Sequence, residues 1–410
     1  MYDIIIFGGG LSGLTLAHEL CKKNFKILII EKDNQLGGMA RSNIEQNYIP
    51  SEHSWRGYAP FYKNTFQIMK EIPYFDTTVF SNLSVPIEFF LLYDLEKDYK
   101  LTLNLKDKII LVYLGIIYSF AGDRRAYYYS YNIKNVLKKY LSTDGYNYII
   151  NFITGPGYGM NKNEISMGHL FHFPVISYLN KNEYTHSHTG KGTDKGEGKG
   201  TYTHKSSDGW HVMNGPTSDV WIKPWINYLK NNGVEILNNA EKLDNTQLKK
   251  EIIHQILRSK SFQKLIYDHN GFYINKDDVK FVEIWYEWEF INNKQEQVNK
   301  KWVNNINNEQ FRPPQITSYN NLFLSGAHTK TTINIWSMEG AIESGKITAN
   351  YILNKYNKPL SKHYKHTGPF YIKLIQYIDN ILYKAHLPNI INLFIIFIVI
   401  FIVLIINIIL

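Results

Sequence analysis

The sequence predicts an α/β chain of two interleaved domains that ends in a membrane-spanning helix. Three features predict it: a strand, glycine turn, helix, strand and acid in the first 31 residues, a second strand-and-helix block beyond residue 320, and an apolar run over 390–410. At 410 residues the chain exceeds what one compact core usually organises. Its 44% hydrophobic, 15% aromatic and 20% charged content is that of a globular protein and excludes global disorder. The single cysteine, Cys21, cannot form an internal disulfide, which excludes a disulfide-stapled module and fits a reducing compartment. The net charge of +9 fits an anionic ligand or surface, yet Lys and Arg are dispersed and no helix-turn-helix or zinc spacing occurs, so no nucleic-acid partner is expected.

In the first element, Asp3 to Phe7 forms a short apolar run suited to a parallel strand buried on both faces. Gly8-Gly9-Gly10-Leu11-Ser12-Gly13 follows. Leu14, Leu16, Ala17 and Leu20 then recur at helical spacing, and a second run, Ile27 to Ile30, ends at Glu31. Gly8 permits the tight turn, Gly10 lets backbone approach a pyrophosphate, and Gly13 lets the helix lie against the strand. The helix N-terminus offers free N–H groups to phosphates, and Glu31 can accept from ribose hydroxyls. This is a Rossmann-like dinucleotide unit. Cys21 falls on its helix as a small core residue.

NAD and FAD share the adenosine diphosphate half that this unit would bind, so the unit does not separate them. The next segment does. Gln35-Leu36-Gly37-Gly38-Met39-Ala40-Arg41-Ser42 puts a glycine pair beyond the acid, with a guanidinium able to neutralise pyrophosphate charge. This stretch resembles the flavin-containing amine oxidase and phytoene desaturase superfamily, in which Gly-Gly is followed by Arg and Ser or Thr. Far downstream, Asn321 to Gly326 reads as a strand ending at glycine, and a helix opens at Trp336-Ser337-Met338-Glu339-Gly340-Ala341. The pair is similar to that superfamily's closing motif. The resemblance implies FAD, with Gly8, Gly10, Gly13, Glu31, Gly37, Gly38, Arg41, Ser42, Gly326, Met338, Glu339 and Gly340 at the cofactor. Where the motif has Asp after Gly326, this chain has Ala327 and then His328, either a substitute or a solvent-facing loop residue.

Ser51-Glu52-His53-Ser54-Trp55-Arg56 resembles the desaturase-type segment beside the flavin, which implies His53 and Arg56 as residues that orient substrate or stabilise charge. The run Ile109 to Phe120 is too short to span a bilayer and reads as a core helix or as a patch dipping into one leaflet. The elements that follow, through Gly155-Pro156-Gly157, are similar to the helical substrate domain of phytoene desaturase-like enzymes. Phe281 to Trp288 alternates as a strand. His186, His188 and His204 lack the ligand set of a metal site, and none is expected.

The expected boundaries are 1–75, 210–245 and 315–355 for an FAD-binding domain, with an α+β substrate domain from 76–183 (largely helical) and 246–314 (strand-containing). A low-complexity, flexible insertion is expected at 184–209, a linker and juxtamembrane segment at 356–389, and a transmembrane helix at 390–410. That last run contains only Ile, Leu, Phe, Val and two Asn, and at about 1.5 Å rise per residue it reaches about 31 Å, a bilayer's hydrocarbon thickness. Lys362, Lys365, Lys373 and Lys384 precede it, so the positive-inside rule puts the body in the cytosol. With no basic leader before Asp3, the expectation is a tail-anchored protein.

The resemblance implies hydride transfer to flavin N5 from a C–H or C–N bond, and the anchor favours an apolar lipid or isoprenoid substrate over a soluble amine. The electron acceptor is O2 or a quinone. Two alternatives stand beside this reading: a flavin-dependent isomerase or mutase such as UDP-galactopyranose mutase, which opens similarly, and a non-catalytic scaffold that keeps FAD for stability.

Overall fold

The computed structural model describes residues 2–44, 50–52, 56–84, 103–157, 164–179, 211–238 and 308–409, with short pieces between 257 and 295. The expected insertion at 184–209, the alternating run at 281–288 and His53 lie outside the described residues.

The chain opens with β1 (Ile4–Phe7), α1 (Leu11–Cys21) and β2 (Ile27–Ile30). Two hairpin strands, β3 (Ser42–Ile44) and β4 (Pro50–Glu52), lead to β5 (Gly57–Tyr58), α2 (Lys63–Glu71), β6 (Pro73–Tyr74), β7 (Thr77–Thr78) and β8 (Leu83–Ser84). A helical segment follows: α3 (Leu105–Phe120), α4 (Arg124–Ser130), α5 (Lys134–Tyr140), α6 (Thr143–Asn147), a π-helical stretch over Tyr148–Gly157, and α7 (Met167–Leu179). The chain returns through β9 (His211–Met213), α8 (Lys223–Asn231) and β10 (Glu235–Leu237), and closes with α9 (Met338–Lys355), α10 (Phe370–Lys384) and α11 (Ile390–Ile409).

Parallel pairing builds the central sheet in the order β1-β2-β10, with Ile5 opposite Leu28 and Ile236 opposite Ile29. The crossover from β1 to β2 is α1, as the first 31 residues require. β1 is only partly covered, and Phe7 at its end is exposed, so the expectation of burial on both faces holds for Ile6 alone. Among the described residues, Asn321 to Gly326 joins no sheet. Its backbone turns back on 315–319, with Leu324 N–H donating to Gln315 O (2.8 Å) and a single bridge from Phe323 to Ile316. Thr317 Oγ1 donates to Leu322 O (2.8 Å), so that carbonyl is already paired.

Among the described residues two apolar cores result. The first gathers α1, β2, α2, α8 and α9, with Trp221 and Trp225 stacked at 5.7 Å. At its centre His18 joins three helices. Trp225 Nε1–H donates to Nδ1 (3.2 Å), so Nδ1 is unprotonated and Nε2 donates to Glu71 (3.0 Å). Burial accordingly lowers the His18 pKa, against the raising effect of Glu71. Cys21 belongs to this core, its thiol pushed up by burial to about 11. The second core is helical, built on Leu114, Tyr118, Leu137, Ile165, Met167 and Leu170. An Asn104–Asp107 capping box starts α3. α7 bridges the cores, since Leu170 and Phe171 belong to the second while Ile176 belongs to the first.

α11 is long and apolar enough to cross a membrane, and no part of its window Ile390–Asn407 is buried.

Candidate functional site

The glycine turn folds as its spacing demands. Gly8 has φ +100°, a left-handed value that favours glycine, and its N–H bonds the end of β2 at Ile30 O (2.8 Å). A Cβ on Gly13 would lie 2.1 Å from Gly8 O, so α1 can lie this close to β1 only with glycine there. α1 begins at Leu11 with Gly10 as N-cap and no side-chain cap, which leaves its positive end open.

The second glycine pair comes to the first. Gly37 N–H donates to Gly9 O (2.8 Å), Gly10 and Gly37 form a parallel bridge, and a Cβ on Gly38 would sit 3.1 Å from Gly10 Cα. Glu31 ties the arrangement to β2: one carboxylate oxygen accepts Gly9 N–H (2.6 Å) and the other Asp33 N–H (3.0 Å). A carboxylate has about four acceptor positions, so two remain for a ribose. Arg41 is oriented by Asp33 and by Gln35 O (3.1 Å).

Beside this turn, Ser42 and Ser218 exchange backbone and hydroxyl hydrogen bonds (2.8 and 3.0 Å), and Ser42 Oγ donates to Glu52 (2.7 Å). Arg56 pairs with Glu52 (3.1 Å) and donates to Met39 O (2.7 Å), so it is linked to the second glycine pair. Burial raises the Glu52 pKa, but hydrogen bonds from Ser42 and Thr217 outweigh that and hold it below the usual value.

The C-terminal block arrives at the same place. Ser12, in the first turn of α1, hydrogen-bonds Ser325 across 313 residues of sequence. Gly326 N–H donates to Ser344 Oγ (2.9 Å), which also bonds Thr329 Oγ1 (2.7 Å). Gly326 has φ +151°, and a Cβ there would lie 2.4 Å from the His328 ring. Burial, with Arg312 adding to it, lowers the His328 pKa. Ala327, at the motif's acid position, contributes its carbonyl to Arg312 (2.7 Å). α9 lies along α1 so closely that a Cβ on Gly345 would meet Ser12 O at 2.6 Å.

Of the predicted site residues, Met338 is partly buried against the first core, and Gly340 opens α9 with its N–H on Ser337 Oγ (3.1 Å). The Glu339 carboxylate lies elsewhere. It accepts Asn64 N–H (3.0 Å), Thr65 N–H (2.8 Å) and both side chains, and so caps α2. Sequence reading missed Ser12, Glu52, Ser325, Ser344 and Thr329. Nothing in a single hydroxyl's neighbours in sequence signals a partner hundreds of residues away. Among the described residues no cluster of His, Cys, Asp and Glu could hold a metal ion.

Comparison with known proteins finds matches at both ends of this assembly. Residues 6–72 match the family model of an NAD(P)-binding Rossmann-like domain, and residues 299–353 match that of flavin containing amine oxidoreductases. The chain is 38% identical over 45 residues to UDP-galactopyranose mutase of Mycoplasma pneumoniae, 11% of each chain. It is 45% identical over 47 residues to (S)-6-hydroxynicotine oxidase of Paenarthrobacter nicotinovorans, 12% of this chain and 11% of that one. Among solved structures, a putrescine oxidase variant from a cofactor-binding redesign is 13% identical, with a TM-score of 0.38 over 58% of this chain and 50% of its own. Cyclohexylamine oxidase from Brevibacterium oxydans gives 14%, 0.34, 57% and 51%. The chain thus spans about a tenth of those curated relatives (11%) and about half of those structures. The two matched segments are similar to a Rossmann-like dinucleotide-binding domain and to flavin containing amine oxidoreductases, which indicates FAD as the cofactor.

The residues fit that cofactor. An uncapped helix end, a first turn in which a Cβ on Gly10 would meet only Gly38 Cα, at 3.9 Å, and a buried acid with acceptor positions to spare form a cradle for a dinucleotide.

Proposed function

We propose that the chain is a membrane-anchored FAD-dependent oxidoreductase that takes a hydride from a C–H or C–N bond of an apolar, lipid-like or isoprenoid substrate. The flavin, when bound, supplies the hydride acceptor at N5. On this reading Gly8, Gly10, Gly13 and the α1 N-terminus receive the pyrophosphate and Glu31 holds the ribose. Gly37, Gly38, Arg41 and Ser42 line the cofactor's second side, and the start of α9 at Met338 and Gly340 faces the ring. Arg56, held by Glu52 and Met39 O, orients substrate or charge beside the second glycine pair, the role also proposed for His53. The product carries the new double bond left by the hydride and a lost proton, and O2 or a membrane quinone takes the electrons.

The observation that carries this reading is the hydrogen bond of Ser12 to Ser325, which in turn bonds Ser344, because it brings the two family segments to one uncapped helix end. An anchor in α11 supports the apolar substrate, since a cleft held at a bilayer can receive a lipid without exposing it to water.

The test is an absorbance spectrum of detergent-purified protein. Gly10 has ordinary extended backbone and open space around it, so Gly10→Ala leaves the fold intact and reports on the ligand alone. The wild type should carry a flavin band and Gly10→Ala should lose most of it with unchanged circular dichroism. An unchanged band would overturn the assignment. Anaerobic addition of isoprenoid or lipid extract should bleach the band. Bleaching by soluble amines alone would remove the lipid half of the proposal, and turnover without bleaching would favour an isomerase.

A further inference from the structure

α10 is built inside out. Its inward face mixes Ile372, Ile375 and Leu382 with paired polar groups: Gln376 donates to Ser119 O (2.9 Å), Asp379 is buried and paired with Arg124 (3.1 Å), and Asn380 accepts from Asp123 N–H. Its outward face is apolar, with Phe370 (80% exposed), Tyr371, Leu374, Tyr377, Ile378 and Ile381 all uncovered. The spacing i, i+1, i+4, i+7, i+8 and i+11 makes one continuous stripe. A helix at a water-facing surface buries such a stripe and exposes its polar side.

α3 continues the stripe's surroundings. Leu105, Ile109, Val112 and Ile116 are exposed in one row, while Leu114, Ile117 and Tyr118 face the core. Tyr113 of α3 hydrogen-bonds Asn392 at the start of α11. At about 100° per residue, Ile109 and Ile116 lie within about 60° of Tyr113 around the helix, so the exposed row runs beside the emerging α11. α10 ends at Lys384 and α11 begins at Ile390, with Ile391 seated against the helical core.

We infer that the outer faces of α10 and α3 form a lipid-contact surface that seats the body in one leaflet of the bilayer beside α11. The inference rests on reading α11 as the anchor. Two observations commit the surface to lipid. Its apolar rows lie on the two helices that touch α11, which is exposed from Phe394 to Ile406, and exposed Lys106, Lys108, Lys373 and Lys384 flank them, suited to anionic headgroups. Tyr371 and Tyr377 add rings that sit with an apolar body and a wet hydroxyl at headgroup depth.

Full-length protein reconstituted in phosphatidylcholine–phosphatidylglycerol vesicles tests this. An environment-sensitive dye is placed singly at Leu374→Cys, Ile109→Cys, Ile400→Cys or Tyr319→Cys. The native Cys21 is buried and stays unlabelled. Shallow spin-labelled lipid should quench most of the emission at 374 and 109, deep spin-labelled lipid should quench 400, and neither should quench 319. If 374 and 109 behave like 319 while 400 is quenched, the surface fails and the anchor stands. If 400 is also unquenched, the anchor reading itself fails. Blue-shifted emission at 374 without lipid quenching, together with disulfide-linked pairs of Leu374→Cys chains, would assign the face to a second copy and overturn the proposal.

Discussion

α9 and α10 are consecutive helices of similar length that both bury polar side chains, and they do opposite things with their apolar ones. α9 sets Glu339, Glu343 and Lys346 inward, each with a partner, and on the same inner surface buries Ile342, Ala349, Ile352 and Leu353. α10 turns its polar residues inward too, yet most of its large apolar side chains, Ile372 and the part-buried Ile375, Leu382 and Tyr383 excepted, remain outside. Apolar burial drives α9 onto α1, whereas three hydrogen-bonded polar contacts position α10. The difference teaches that an amphipathic stripe does not by itself say which side faces the protein. What each side meets decides it.

The largest effect is expected where α9 touches α1. Gly345→Ala would put a methyl 2.6 Å from Ser12 O and 2.7 Å from Thr15 Cβ, a clash with backbone that no side-chain rotation relieves. The expected cost is about 3 kcal/mol. Thermal unfolding in detergent should show it, together with a weaker flavin band, because Ser12 moves. A change within about 0.5 kcal/mol would mean that the helices have room to part.

Next comes the buried ion pair. Lys346 reaches Glu19 across the α1–α9 contact with its side chain fully buried and that of Glu19 only 2% exposed. Lys346→Met leaves a buried carboxylate with Lys22 as its remaining ion partner, at 2.9 Å. About 3 kcal/mol should be lost, and most of it should return in the double variant Glu19→Leu, Lys346→Met. A double variant no more stable than the single would show that the pair itself, and not the orphaned charge, stabilises the contact.

Much of the α9 side of this comparison is legible in the sequence, and little of the α10 side is. The glycine turn, both flanking strands and the start of α9 follow from spacing and local conformational limits, because such features are decided by residues a few positions apart. The role of Glu339 was not legible: its partners Asn64 and Thr65 lie some 275 residues earlier, and a motif reading sends it to the cofactor. α10 falls in a stretch read as linker, although Pro369 just before Phe370 and the i, i+4, i+7 apolar spacing mark a helix. That its stripe faces outward could not be read, since it depends on Arg124 and Ser119 being in place to hold Asp379 and Gln376.

The last expected effect is a pH limb that α9 should show. Burial alone would lower the His366 pKa, but hydrogen bonds to Glu339 and Glu343 override it and raise it from 6.5 to about 10. A group raised on folding stabilises fully below its unfolded value, so this contribution is complete below pH 6.5 and fades as pH rises toward about 10. Burial would raise the Glu343 pKa, but His363 and His366 lower it from 4.5 to about 2, so its contribution is present above pH 4.5 and fades toward pH 2. His18, kept neutral by burial, adds to the acid side, because its contribution weakens as pH falls below 6.5. The melting temperature should therefore decline across pH 6.5 to 10 in the wild type. His366→Gln should melt lower at pH 6 and show a flatter alkaline limb. An alkaline slope unchanged by that substitution would mean that His366 is not the group losing its proton, and that the donors at Asn64, Thr65, Thr332, Ile333 and His363 suffice to hold the two α9 carboxylates.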